Sequence, residues 1–356
     1  MSTVPFTERG GKTRGCLDLV SGRFPAFVFG GGLGALLPVF HFHDVTREEL
    51  EPKLRHLAEN GYRSVTSDEI ASYVRGDLTL PARSVGLCFD DAWKSLASVA
   101  APLLKQHGLT AITYAIPARI TEDGAGGSPF VTWAELSALH ASGVVDVQSH
   151  TETHSRIFAS ADVEDFVQPG YETTPLLNRP QRSAPPSLAF VTPGDLGAPI
   201  YNMRARMSDG CRALVSRDAH FACVDLVARE GGAAFFSRSD WRARLTAAAA
   251  AASAPSAGCE SGDEQTRAIE EELARSRSRL NERLKTQSVA HICLPWGISG
   301  TRTEAMLKRT GYRSAFANRL RGQHAVHAGD DPYWLKRLPN QYITRLPGRG
   351  RQYWFS

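Results

Sequence analysis

Ser84-Val-Gly-Leu-Cys-Phe-Asp90-Asp91 is an apolar run that ends in two adjacent carboxylates. Its length and composition are those of a strand buried on both faces. Further on, Val144-Val-Asp-Val147 runs into Gln148-Ser-His150-Thr-Glu-Thr-His154-Ser-Arg156. The four-residue spacing puts both imidazoles on one side of a turn or tight loop, where they can share one metal ion. Two histidines and a carboxylate, each at a strand exit, make a two-His-one-carboxylate metal site and leave one aspartate over to act as a base. An acidic pair is also what a solvated turn uses: Asp330-Asp331 sits in an ordinary Gly-Asp-Asp-Pro turn. Asp90-Asp91 differs because it follows a buried strand. Glu152 is misplaced for the H-E-x-x-H helix of a zinc protease.

The elements around these stretches alternate. A strand over Leu36–Phe42 delivers His43 and Asp44, and Thr46 caps a helix striped by Leu50, Leu54 and Leu57. A short strand at Tyr62–Thr66, a helix at Ser67–Val74, the Ser84–Phe89 strand, a helix over Trp93–His107 and a strand at Ala111–Ile116 follow. Thr132 and Glu135 form a capping-box pattern ahead of a helix that Gly143 ends. Strand-helix alternation calls for a parallel sheet, open or closed into a barrel, with its chemistry at the carboxyl ends of the strands. His43, Asp90, Asp91, His150 and His154 all fall at such ends. From Ile157 to about Gly262 the alternation lapses, and Thr246–Gly262 reads as a short Ala-rich helix followed by an Ala/Ser linker. This segment reads as an insertion on the site-bearing face. Regular pattern resumes at Asp263, with strands at Ser288–Leu294, Tyr312–Ala317 and Leu335–Ile343.

Composition narrows the class. The 356 residues are 42% hydrophobic and 22% charged, as in a soluble globular protein. A net charge of +4, dispersed along the chain, gives no footprint for nucleic acid, and the Arg345–Phe355 end reads as a solvated tail. The six cysteines have no close pairs, so no disulfide framework or zinc ribbon is expected, and Cys88 and Cys293 read as small core residues. The charge-free stretch Phe24–Phe42 holds Pro25, Gly30-Gly31-Gly32, Gly34 and Pro38; it reads as strand, glycine turn and buried strand rather than a membrane span. Met1–Arg23 lacks the order of a signal peptide, and the expected location is cytoplasmic, without stable membrane insertion. Oligomeric state is not legible.

In order along the chain, Phe42-His43-Asp44, Asn60-Gly61-Tyr62, Cys88-Phe89-Asp90-Asp91, Ser149-His150-Thr151 to His154, and Leu294-Pro295-Trp296-Gly297 with Gly311-Tyr312 resemble the motifs of the polysaccharide deacetylase family (NodB-homology domain, carbohydrate esterase family 4). The resemblance implies a distorted (β/α) barrel in two parts, residues 36–156 and 263–345. Around them lie a lead-in (1–35), the insertion (157–262) and a tail (346–356). It implies metal-dependent removal of N-acetyl groups from an amino sugar, glycan or glycan precursor. Carried over, Asp90 is the catalytic base, and Asp91, His150 and His154 hold a divalent ion, zinc before cobalt, nickel, manganese or iron. His43 would pair with Asp90 or with substrate, unless it is a structural histidine. Pro295 and Trp296 would border the substrate, with Trp296 stacking on a sugar ring or walling the barrel mouth. The chain departs from the family at Cys293, where many members carry arginine. No late histidine matches the family's general acid, so His43, His324 and His327 are the candidates. Two other readings fit the same barrel: hydrolysis of a small amide or cyclic ureide, and a carbohydrate-binding protein without turnover.

Overall fold

The computed structural model describes residues 23–352, apart from 125–126, 172–175, 185–188, 254–257 and 318–323. Most of the expected lead-in, Cys16 included, and the end of the tail at 353–356 lie outside the described residues. The described chain divides into two units, residues 23–153 with 270–352, and residues 154–269.

The first unit runs β1 (Val39–Phe42), α1 (Arg47–Glu59), β2 (Arg63–Ser64), α2 (Ser67–Arg75), β3 (Ser84–Asp91), α3 (Ala101–Gln106), β4 (Ala111–Ala115), α4 (Trp133–Ala141) and β5 (Val145–Ser149). The second unit holds β6 (Arg156–Phe166), β7 (Pro199–Ala205), α5 (Arg217–Arg229) and α6 (Trp241–Ala251). Helix α7 (Gly262–Leu284) leads the chain back to β8 (His291–Cys293), α8 (Thr301–Arg309), β9 (Ser314–Phe316) and β10 (Leu338–Pro339). Helix starts follow their polar caps. Thr46 accepts the Glu49 N–H, and Thr66 and Thr132 form complete capping boxes with Glu69 and Glu135. Among the described residues no helix is long and apolar enough to cross a membrane.

The first unit is a curled parallel sheet in the order β10-β1-β3-β4-β5-β8-β9, with β2 also paired to β3. A parallel bridge between Phe316 and Leu335, just ahead of β10, joins the two ends of that path, as in a distorted barrel. All eight residues of β3 are buried, and the two faces enter different cores. Val85, Leu87 and Phe89 pack outward beneath Leu50, Leu54, Leu103 and Leu136 of the helices. Cys88 faces inward with Val39, Ile112, Tyr114, Cys293, Phe316 and Leu335. Side chains alternate along a strand. Asp90 therefore shares the inward face with Cys88, His41 and His43 share it with Val39, and Arg337 shares it with Leu335. This register brings charged groups from distant strands to one end of the interior.

Gly86 shows how tight that interior is. It pairs with Val39, and a Cβ at Gly86 would meet Val39 Cγ1 at 2.9 Å and Cγ2 at 3.0 Å. We expect Gly86→Ala to lower stability by about 1–3 kcal/mol through overpacking. Urea denaturation measures this, and an unchanged midpoint would mean the barrel wall yields there.

Three expected elements differ, the last of them the strand expected over Leu335–Ile343, which is strand only at Leu338–Pro339 and passes into a 3₁₀ turn over Asn340–Arg345. The first half of Phe24–Phe42 is a 3₁₀ turn, Ala26–Phe29, rather than a strand. Pro25 opens it, and Gly30 at φ 96° closes it, its N–H and that of Gly31 returning to Phe27 O and Ala26 O. The helix expected over Trp93–His107 is continuous from Lys94 to Gln106 but widens into a π-helical turn at Leu96–Ala100, next to Pro102, which has no N–H to offer the preceding turn.

The second unit pairs β6 with β7 as an antiparallel ribbon, with register shifts between Phe158, Val163 and Asp165. Its helices α5 and α6 close over Phe166, Cys223, Val227, Phe235 and Leu245. Glu260 is buried in a bidentate pair with Arg206, at 2.5 and 3.1 Å. The short Ala-rich helix expected at Thr246 is present, as the end of Trp241–Ala251, and within the stretch expected as linker Cys259 is bridged to Ala213. The alanine run forms helix as its propensity dictates, and Glu260, needing a buried partner, fixes the residues after it.

Candidate active site

Strand β3 delivers Asp90 and Asp91, and both are buried. Asp91 sits at φ 70° and Ala92 at φ 58°, so the backbone turns sharply as it leaves the strand. Among the described residues, five of the eight non-glycine residues in the left-handed region are Asp91, Ala92, Thr151, His154 and Trp296. Such conformations cost about 1–3 kcal/mol each and gather where a site over-determines its backbone.

The loop after β5 carries the histidines. His150, Thr151, Glu152 and His154 are all buried. The loop is held from α7. Glu272 accepts the Thr153 N–H at 3.0 Å and its hydroxyl at 2.6 Å, and Arg279 donates to Glu152 at 2.8 Å. One donor atom each from Asp91, His150 and His154 lies within 4.8 Å of the others. The surroundings aim them. Trp93 Nε1–H donates to Asp91 Oδ2 at 2.9 Å, and His150 Nδ1 lies 2.6 Å from the Cys293 carbonyl. A carbonyl only accepts, so Nδ1 carries the hydrogen and Nε2 faces Asp91 Oδ1 at 3.4 Å. Two acceptors face each other there unless a positive charge lies between them, whether a proton or a cation. Burial works against an imidazolium, but the Asp91 and Cys293 contacts outweigh it, and His150 is held well above its usual range. Backing a ligating imidazole with a carbonyl and a ligating carboxylate with a donor is how proteins orient metal ligands. The donor set fits a divalent ion of the zinc type.

Asp90 is engaged differently. Arg337 of the β10 segment grips it with both guanidinium arms, Nη1 to Oδ1 at 2.6 Å and Nη2 to Oδ2 at 2.8 Å. Burial pushes the Asp90 carboxyl up, and Arg337 more than offsets this, holding it well below the usual carboxylate range. Arg337 in turn lies over the rings of Tyr114 and Phe316, at 5.8 and 5.6 Å. His43 Nε2 stands 3.8 Å from Asp90 Oδ2, and its side chain is 56% exposed. His41 projects on the same face, its ring 5.8 Å from that of His43. Burial, with Arg337 adding, pushes His41 down to about 3, so its imidazole is neutral.

The structure thus brings together Asp90, Asp91, His150, His154 and His43. Pro295 is buried, and Trp296 half-buried at φ 55°, in the turn that follows β8 next to β5. His324 and His327 have other engagements: His324 stacks on Phe24 at 5.0 Å, and His327 folds over the Asp330 turn. Arg337 and His41 were missed in the sequence. The available signal was a basic residue at an inward position of the last strand pattern. Cys293 makes no such contact, and the arginine that pairs with Asp90 is Arg337. A Ser314-His291-Asp68 chain, at 2.8 and 3.0 Å, resembles a nucleophilic triad, but Ser314 is 2% exposed and sits at the opposite, amino end of β9. It ties β8 and β9 to the start of α2.

Residues 77–173, which include both carboxylates and both histidines, match the polysaccharide deacetylase family. The poly-beta-1,6-N-acetyl-D-glucosamine N-deacetylase of Escherichia coli K12 is 28% identical over 131 residues, covering 34% of this chain and 20% of that protein. The chain spans less than half the length of the curated relatives it matches. A de-N-acetylase of Aggregatibacter actinomycetemcomitans shares the fold at TM-score 0.51 and 15% identity, over 83% of this chain and 97% of that one. The BpsB deacetylase domain from Bordetella bronchiseptica does so at TM-score 0.52 and 16% identity, over 81% and 90%. The match to the polysaccharide deacetylase family model over residues 77–173 runs through the site, and the fold resembles that of solved deacetylases.

Proposed function

We propose that the chain is a metal-dependent N-deacetylase acting on an N-acetylated amino-sugar glycan or its precursor. The observation that carries this reading is the division of labour between two neighbouring carboxylates. Asp91 is clustered with His150 and His154, while Asp90 is turned to Arg337 and His43. A divalent cation held by Asp91, His150 and His154 would supply Lewis acidity, polarising the amide carbonyl and lowering the pKa of water. Asp90 accepts the proton of the attacking water, and Arg337 keeps its carboxylate ionised and fixed in orientation. His43, near Asp90 and open to solvent, is placed to pass a proton to the leaving amine. Trp296 offers an apolar ring at the same end of the sheet as a stacking surface for a sugar. The relative named for poly-beta-1,6-N-acetyl-D-glucosamine supports amino-sugar polymers as the substrate class. The Arg337–Asp90 pair weighs against a binding-only protein, because it equips the base.

The test is acetate release from β-1,6-linked N-acetylglucosamine oligomers. We expect release to fall to background after chelation and to return when a divalent ion is added. Undiminished release in chelator would contradict metal dependence.

A further inference from the structure

Two cysteines far apart in sequence meet at an edge of the 154–269 unit. Residues 212–214 and 258–260 form a short antiparallel ladder: Glu260 N–H donates to Arg212 O and Leu214 N–H to Gly258 O, each at 2.9 Å. Ala213 and Cys259 face each other in it. Cys211, two residues before Ala213, falls on the same side as Cys259. Cys211 Sγ lies 3.6 Å from the carbonyl of Glu260, the neighbour of Cys259. Glu260 anchors the edge. Its buried carboxylate takes both arms of Arg206 and, at 2.9 Å, the Arg212 N–H. Cys88, Cys223 and Cys293 are buried, whereas Cys259 is exposed and Cys211 half-buried.

We propose that Cys211 and Cys259 form a reversible intramolecular disulfide that closes the segment carrying α5 and α6. The ladder holds the two backbones side by side, with both cysteines on one face of it. The oxidant is a low-molecular-weight disulfide. Exposed Cys259, as thiolate, attacks one sulfur of the oxidant; the oxidant's S–S bond breaks, and one thiolate leaves and takes up a proton. Cys211 then loses its proton to solvent and attacks the Cys259 sulfur, expelling the second thiolate. Two protein thiols are oxidised to one disulfide, and one small disulfide is reduced to two thiols. The neighbouring Cys259 thiol, with burial adding, pushes the Cys211 thiol up to about 11, which makes it the resolving partner. The bond restrains the unfolded segment between the two cysteines and so favours the folded unit.

The full chain is incubated with oxidised glutathione, remaining thiols are alkylated, and non-reduced peptides are read by mass spectrometry. The expected product is a cross-linked peptide joining Cys211 to Cys259, lost on adding dithiothreitol. Cys211→Ser, with wild-type circular dichroism, should instead accumulate glutathione on Cys259. Three outcomes would overturn the proposal: wild type holding glutathione on Cys259 with Cys211 still alkylatable, cross-links through any other cysteine, or both thiols alkylatable throughout.

Discussion

Asp90→Asn is expected to lower turnover by about 10²–10⁴-fold, the usual contribution of a general base, with metal uptake intact. Asparagine keeps an oxygen to accept one Arg337 N–H but carries no negative charge and takes no proton from water. The ligand cluster of Asp91, His150 and His154 is left as it was. Arg337, only 12% exposed at its side chain, loses its counter-charge. Removing one partner of a buried ion pair costs roughly 3–5 kcal/mol, so turnover is measured at low temperature on protein shown to be folded by circular dichroism. Full turnover in folded, metal-loaded Asp90→Asn would remove Asp90 from the chemistry.

Arg337→Ala tests the same pair from the other side and carries a pH signature. In the wild type the Asp90 carboxyl is depressed by Arg337 against the push of burial. A group depressed in the folded state stabilises the fold above its unfolded pKa, near 3.9, and that contribution is lost only as pH falls through the folded value. Without Arg337, burial dominates and the carboxyl rises above its unfolded value. The sign then reverses: the fold favours protonated Asp90, and the variant loses stability as pH climbs from about 4 toward neutrality. We expect a loss of roughly 3–5 kcal/mol at neutral pH, a smaller loss in acid, and an acid limb of activity displaced to higher pH. Denaturation curves at acid and neutral pH check this. Wild-type and variant curves that stay parallel across that range would show that Arg337 does not set the Asp90 ionisation.

What was legible in the sequence was whatever local chemistry decides. Ser84–Asp91 reads as a buried strand with two acids at its exit because Val85 to Phe89 carry no charge or strongly polar group, and the structure buries every residue of it. Thr46, Thr66 and Thr132 head their helices because each offers an oxygen to the third N–H after it. That Asp91, His150 and His154 come together was legible because they lie at or just past strand exits. Arg337 was not: it meets Asp90 across 247 residues, from the position just before a two-residue strand, and its inward place in that pattern does not name its partner. The 154–269 unit was also obscure. Register shifts in β6 break the alternation that marks a strand, and its ordering rests on the distant Arg206–Glu260 pair. The cysteine pair stayed hidden for the same reason, since only the ladder at 212–214 and 258–260 joins the two thiols.

The most direct measurement pairs metal content by elemental analysis with acetate release, on the same samples of wild type and Asp91→Ala. The account predicts about one divalent ion per chain and acetate release in the wild type, with both lost in folded Asp91→Ala. Wild type that releases acetate without bound metal, or Asp91→Ala that keeps its turnover, would contradict the assignment of Asp91, His150 and His154 as the metal-holding set.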